Sequence, residues 1–157
     1  MSRSFRLFRR PMLEGTKCTS KMPSPVRPSQ IEEELAAFRT EQAACMEAPA
    51  SVRLATEYIH DHLFAPDLTM DRVRDRLGIT DSMFSARFRR YHGHSPACYI
   101  RHLRVKAAKR LLRTHTELRI ADVALHVGYE HYRTFARVFK RVMDQSPQAF
   151  REEVESG

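Results

Sequence analysis

The chain has 157 residues, 42% of them hydrophobic, with 27 Lys and Arg against 19 Asp and Glu. That length holds one ordinary domain plus an appendage, and a net charge of +8 favours an anionic partner. No apolar run approaches the roughly 18 residues of a membrane span, and the cysteines at 18, 45 and 98 contain no CxxC pair, which argues against a membrane protein, a disulfide framework and a zinc site.

Residues 1–30 hold four of the eight prolines and seven Lys/Arg against one Glu, and are expected to form a disordered basic tail. The start lacks the apolar stretch of a secretory signal, and the scattered cysteines suit a reducing cytoplasm. A helix is expected over 30–47, with Ile31, Leu35 and Phe38 on one face and Glu32–Glu34 near its N-terminus, where the dipole favours acids. Ala48-Pro49 ends it. This segment either packs on the domain behind it or pairs with a second copy.

From Ser51 the pattern is dense and helical. Ser51 is expected to cap a helix running to Phe64, with Leu54, Tyr58, Ile59 and Leu63 inward. Thr69 caps a short helix over 71–77, and Gly78 turns the chain with positive φ. A helix over 81–92 follows, with Phe84, Arg87, Phe88 and Tyr91 on one face. Ser95-Pro96 opens a rod running to Arg113, because Ser caps and Pro is tolerated at the first helical position. A second cycle comes next: helices over 119–127, 131–142 and 147–154, with Gly128 and Ser146-Pro147 as punctuation. No period-two pattern appears, so the expected fold is all-α, with seven helices after residue 50.

The two cycles are copies of one another. Met70, Val73, Gly78, Phe84, Phe88, Ser95, Pro96 and Tyr99 recur as Ile120, Val123, Gly128, Phe135, Phe139, Ser146, Pro147 and Phe150. The offset grows from 50 to 51 after the glycine, so one residue is added in the second turn. Short helix, glycine turn and basic second helix are the signature of a helix-turn-helix DNA reader.

The basic charge is concentrated: residues 81–113 carry nine Lys/Arg and one acid, Asp81. Spacing assigns the faces of each second helix. Phe135, Val138, Phe139 and Val142 point inward, leaving Tyr132, Arg133, Ala136, Arg137 and Lys140 outward. The equivalent outward set in the first copy is Asp81, Ser82, Ser85, Ala86 and Arg89. Arg133 and Arg137 carry the fork that matches guanine O6 and N7, whereas Ser82 and Ser85 make only single hydrogen bonds. Lys140, Arg89 and Arg90 suit phosphates. Arg104, Lys106, Lys109, Arg110 and Arg113 on the rod either touch the nucleic-acid backbone or simply face solvent. Arg87 falls on the inward edge, with its stem packed and its head reaching water.

These residues resemble the DNA-binding domain of the AraC/XylS family of bacterial transcription regulators, over about residues 51–151. The most specific string runs Ile120-x-x-Val123-Ala124-x-x-x-Gly128-Tyr129, Phe135-x-Arg137-x-Phe139 and Ser146-Pro147-x-x-Phe150-Arg151. The rod adds Arg104-x-x-x-Ala108-x-x-Leu111-Leu112. The resemblance implies two homeodomain-like helix-turn-helix units at 51–154, joined by a long helix and binding promoter DNA. In many activators of the family RNA polymerase is a further partner. Arg74 stands where the family has a small alanine, Ala86 where it has an arginine, and Asp144 where it has a glycine. The first two departures imply weaker base reading by the first unit. Residues 31–48 then read as the remnant of a dimerisation or linker segment, of either a stand-alone regulator or a longer one.

No catalytic residue, cofactor or metal site is expected. His60/His62 and His92/His94 are two apart and face different sides of a helix, no phosphate loop occurs, and a small-molecule effector has no support. Two other readings stand beside a cytoplasmic, nucleoid-associated regulator: a protein-interaction module, and a non-specific architectural DNA binder.

Overall fold

A computed structural model describes residues 27–42 and 47–157. The expected tail at 1–26 and residues 43–46, with Cys18 and Cys45, lie outside the described residues. Eight helices and no strand occur among those described: α1 Pro28–Thr40, α2 Ala50–Asp61, α3 Met70–Leu77, α4 Phe84–His92, α5 Pro96–Thr114, α6 Ile120–His126, α7 Tyr132–Met143 and α8 Pro147–Ser156. Helices α2, α3 and α4 pack together, as do α6, α7 and α8, and α5 packs against both groups.

The repeated phenylalanines build both groups in the same way. Phe84 and Phe88 are fully buried with ring centroids 5.9 Å apart, and Phe88 meets Tyr99 of α5 edge-on at 5.5 Å. In the second group Phe135 and Phe139 sit 5.5 Å apart, and Phe139 meets Phe150 of α8 edge-on at 5.9 Å. Each such ring contributes about 1.5–3 kcal/mol through burial, and the edge-on contacts fit the ring quadrupole.

Local signals set most boundaries. The Thr69 hydroxyl accepts the Arg72 amide at 3.3 Å and caps α3, while Ser146 caps α8 through the Ala149 amide at 3.1 Å. Gly78 ends α3 with φ 61°, as expected. Asp144 takes the same left-handed conformation without being glycine, φ 59°, which aspartate tolerates better than most residues.

Several expectations fail on register. α2 begins at Ala50 behind Pro49, so Ser51 is not its cap. The buried stripe of α2 is Val52, Ala55, Thr56, Ile59 and His60, and Leu54 lies 52% exposed on the other side. Ser95 precedes α5 but makes no side-chain cap. α1 starts at Pro28, so Glu32–Glu34 fall in its second turn, beyond the reach of the dipole.

The acids of α1 are used elsewhere. Ile31, Leu35 and Phe38 are buried, and α1 lies against α2 and α5. Glu34 accepts from Arg110 Nε at 3.1 Å and lies 2.9 Å from His115 Nε2, while Glu41 accepts from Arg110 Nη1 at 2.9 Å. Half-exposed pairs of this kind contribute at most about 1 kcal/mol each. The apolar face of α1 therefore packs within the chain.

Candidate nucleic-acid interface

In the second unit α7 is sharply two-sided. Phe135 and Phe139 are buried and Val138 and Val142 half-buried. Tyr132, Arg133, Arg137 and Lys140 are exposed on the opposite side, with Ala136 half-buried between them. Arg133 and Arg137 are one turn apart, so their forks project side by side. Among the described residues, Arg133, Arg137 and Lys140 form no ion pair and no side-chain hydrogen bond. Their charge is uncompensated at short range, which is the electrostatic condition for meeting an anion.

The first unit differs. Its second helix begins at Phe84, one turn later than the 81–92 span expected from periodicity. Asp81 is the reason: its Oδ1 accepts the Met83 amide at 2.8 Å and its other oxygen pairs with Arg87. Asp81 is thus half-buried and folded back, not outward, and Arg87 is exposed and ion-paired. Ser82 is exposed in the turn ahead of the helix, and Ala86, Arg89 and Arg90 are exposed on it. Ser85 is half-buried, and its hydroxyl accepts from Arg74 Nη2 at 3.4 Å. Arg74, at the position that Ala124 holds in the second unit, leans across the second helix and engages one of the two hydroxyls that could read a base. Arg89 and Arg90 make no ion pair among the described residues.

Other cations are already committed. Arg72 pairs with Asp67, and Arg119 pairs with Asp122 at 2.9 Å. On the rod, Arg110 is held by α1, the Lys106 ammonium lies 6.0 Å from the Phe38 ring centroid, and Arg113 and Lys109 lie over Phe150 at 5.4 and 5.7 Å.

Arg104 is neither a phosphate contact nor a solvent-facing charge. It is 6% exposed, and its guanidinium donates to three carbonyls: Leu63 at 2.8 Å, Gly128 at 2.9 Å and Ala65 at 2.7 Å. Its plane also lies over the Tyr129 ring, 5.3 Å from the centroid. Burial pushes its pKa below the ordinary arginine value, while the three carbonyls satisfy the buried donors that would otherwise be costly. This residue ties the segment after α2 to the turn of the second unit. Gly128 is matched to it: with φ 86°, an added Cβ would lie 2.8 Å from the Phe64 carbonyl oxygen and 3.0 Å from the Arg104 guanidinium carbon. The sequence signal for Arg104 was its position on the α5 stripe, four residues from both Ile100 and Ala108.

Beneath the first unit, Thr56 donates to the Val52 carbonyl at 2.8 Å, so its oxygen accepts from His92 Nε2, also at 2.8 Å. His60 Nε2 lies 2.9 Å from the Tyr99 hydroxyl. Burial lowers the pKa of both histidines, and His92 lowers that of His60 further.

Comparison with known proteins agrees with this geometry. Residues 74–153 match the family described as "Helix-turn-helix domain". The chain is 36% identical over 100 residues to the Arabinose operon regulatory protein of Escherichia coli K12, covering 64% of this chain and 34% of that one. It is 34% identical over 100 residues to Regulatory protein SoxS of Salmonella typhimurium, covering 64% of this chain and 92% of that one. Among solved structures it resembles the C-terminal domain of AraT, a response regulator from Geobacillus stearothermophilus, at a TM-score of 0.63 and 31% identity, over 68% of this chain and 88% of that one. The chain spans about a third of the length of the larger curated relatives it matches. Among the described residues no helix is long and apolar enough to cross a membrane.

Proposed function

Because the chain belongs to the AraC/XylS family of helix-turn-helix transcription regulators, non-enzymatic DNA-binding proteins, we propose that it reads a specific promoter sequence, with α4 and α7 in adjacent major grooves and α7 as the stronger reader. The observation that carries this reading is the unpaired, exposed row of Arg133, Arg137 and Lys140 on a helix whose other face is locked in the core. Tyr132 and Ala136 complete the surface of α7. In the first unit Arg89 and Arg90 supply phosphate contacts, Ser82 a single hydrogen bond and Ala86 only apolar surface, and Ser85 contributes less because Arg74 holds it. The 19 residues of α5 span roughly 28 Å, against roughly 34 Å between successive groove faces. Modest bending of the DNA makes up the difference.

On this reading the partner is double-stranded promoter DNA in the cytoplasm, with RNA polymerase as a second contact. Selection of bound duplexes from a random pool, followed by gel-shift titration of the winners, tests it. A recovered site with two half-sites about one helical turn apart is the expected result. Binding without sequence preference, with a steep salt slope, would indicate an architectural binder; no binding at low salt would indicate a protein-interaction module.

A further inference from the structure

We infer that His94, Cys98 and His102 form a binding site for a thiophilic divalent cation of the zinc type, at the joint between the first unit and the linker helix. The side-chain donor atoms of these three residues all lie within 4.8 Å of one another. Cys98 Sγ is 4.0 Å from His94 Nδ1, and the His94 and His102 rings stack with centroids 4.4 Å apart. A step of four residues rotates only about 40° around a helix, so Cys98 and His102 share one stripe of α5, and His94, just ahead of the helix, stacks its ring on His102. In the sequence the neighbouring pair His92 and His94 obscures the spacing of four that links His94, Cys98 and His102.

Two imidazoles and one thiolate form a soft to borderline donor set that suits Zn2+ and discriminates against Mg2+ and Ca2+, which require oxygen. Bond lengths of about 2.0–2.3 Å place tetrahedral donors roughly 3.5 Å apart. Small rotations close the observed spacing, and His94 can make them because it is exposed and precedes α5. Cys98 and His102 are half-buried against Val138 and Val142 of α7, with Arg101 and Arg141 at the edge. Arg101 Nε donates to the Ala97 carbonyl at 3.1 Å. On binding, the Cys98 thiol releases one proton to solvent, both imidazoles bind neutral, and nothing is oxidised or reduced. Three protein ligands leave a fourth position for water. The bound ion would tie His94, next to the Gly93 turn that ends α4, to the body of α5.

Titration of the reduced full chain with Co2+, followed by Zn2+ competition, tests the site. One equivalent of Co2+ should produce a thiolate-to-cobalt charge-transfer band that Zn2+ abolishes. Cys98→Ser should remove the band, His94→Ala and His102→Ala should each weaken binding by at least the roughly 10–100-fold that loss of an outer-shell partner costs, and a Cys18→Ser/Cys45→Ser chain should retain it. No band, a band surviving Cys98→Ser, or one lost in the Cys18→Ser/Cys45→Ser chain would overturn the assignment. Circular dichroism accompanies each variant. Should Cys98→Ser lose helix, the exposed His94→Ala decides: unchanged Co2+ affinity there rejects the site.

Discussion

Val73, Phe84 and Phe88 in the first unit and Val123, Phe135 and Phe139 in the second are all fully buried, yet the helices carrying the phenylalanines present different surfaces. α7 has 12 residues and begins three before Phe135, whereas α4 has nine and begins at Phe84 itself. The second unit has an extra helical turn, which carries Tyr132 and Arg133. In the first unit the corresponding chain is a turn pinned by Asp81. Duplication has kept the core, where volume is tightly constrained, and let the outer face diverge. The glycines diverge likewise: Gly78 is exposed with open space around it, while Gly128 is buried against Arg104 and the Phe64 carbonyl.

The shared core is tested first, since it carries the largest effects. Phe139→Ala and Phe88→Ala should each cost about 3–5 kcal/mol through the cavity left behind, measured by denaturant unfolding. Near-normal stability in either would break the equivalence of the two units. The glycines should then separate them. Gly78→Ala should cost about 1–2 kcal/mol from its backbone conformation alone, and Gly128→Ala about 2–5 kcal/mol because the new methyl also collides with backbone. Equal losses would mean Arg104 does not hold that turn.

The reading surfaces should differ by function, not stability. Arg137→Ala should remove about 1–3 kcal/mol of discrimination at one or two base pairs with helix content unchanged, while Ser85→Ala should cost less than about 1 kcal/mol. Quantitative gel shifts on matched and mismatched duplexes would check both, and a larger loss at Ser85 would reverse the assignment of α7 as main reader. Asp144→Gly should stabilise the chain by about 0.5–1 kcal/mol by relieving its left-handed backbone; a lower melting temperature would show that the aspartate is tolerated there without strain.

The last contrast is in pH. His60 and His92 belong to the first unit's surroundings, and burial holds their folded pKa values below the ordinary 6.5. Below 6.5 the unfolded chain takes up protons that the folded one resists. Their contribution is therefore present in full above pH 6.5 and is lost as pH falls from there through the lower folded values. Hydrogen exchange should show α2 and α4 loosening on acidification before α6 and α7. Uniform loosening, or no change in a His60→Gln/His92→Gln chain, would remove the histidines as the cause.

The all-helical fold, the internal duplication and most of the outward face of α7 were legible in the sequence. They rest on local rules: apolar spacing at 3.6, Ser/Thr-led helix starts, Ser-Pro, and glycine at a left-handed turn. Ser51 was misplaced because Pro49 starts the helix two residues earlier than the serine signal, and Leu54 because apolar character alone does not say which side of a helix is covered, whereas Ile59 and Leu63 are buried as expected. Asp81 was misread because a carboxylate's local hydrogen bond to the backbone competes with helix propagation. Tertiary structure alone decided that Arg104 is buried, that α1 covers the rod's arginine, and that Arg74 reaches Ser85. Charged side chains carry no periodicity that tells a partner in solvent from one in the core. Which hydroxyls, carbonyls or carboxylates they meet depends on segments brought together from 11 to 76 residues away, and only packing makes that choice.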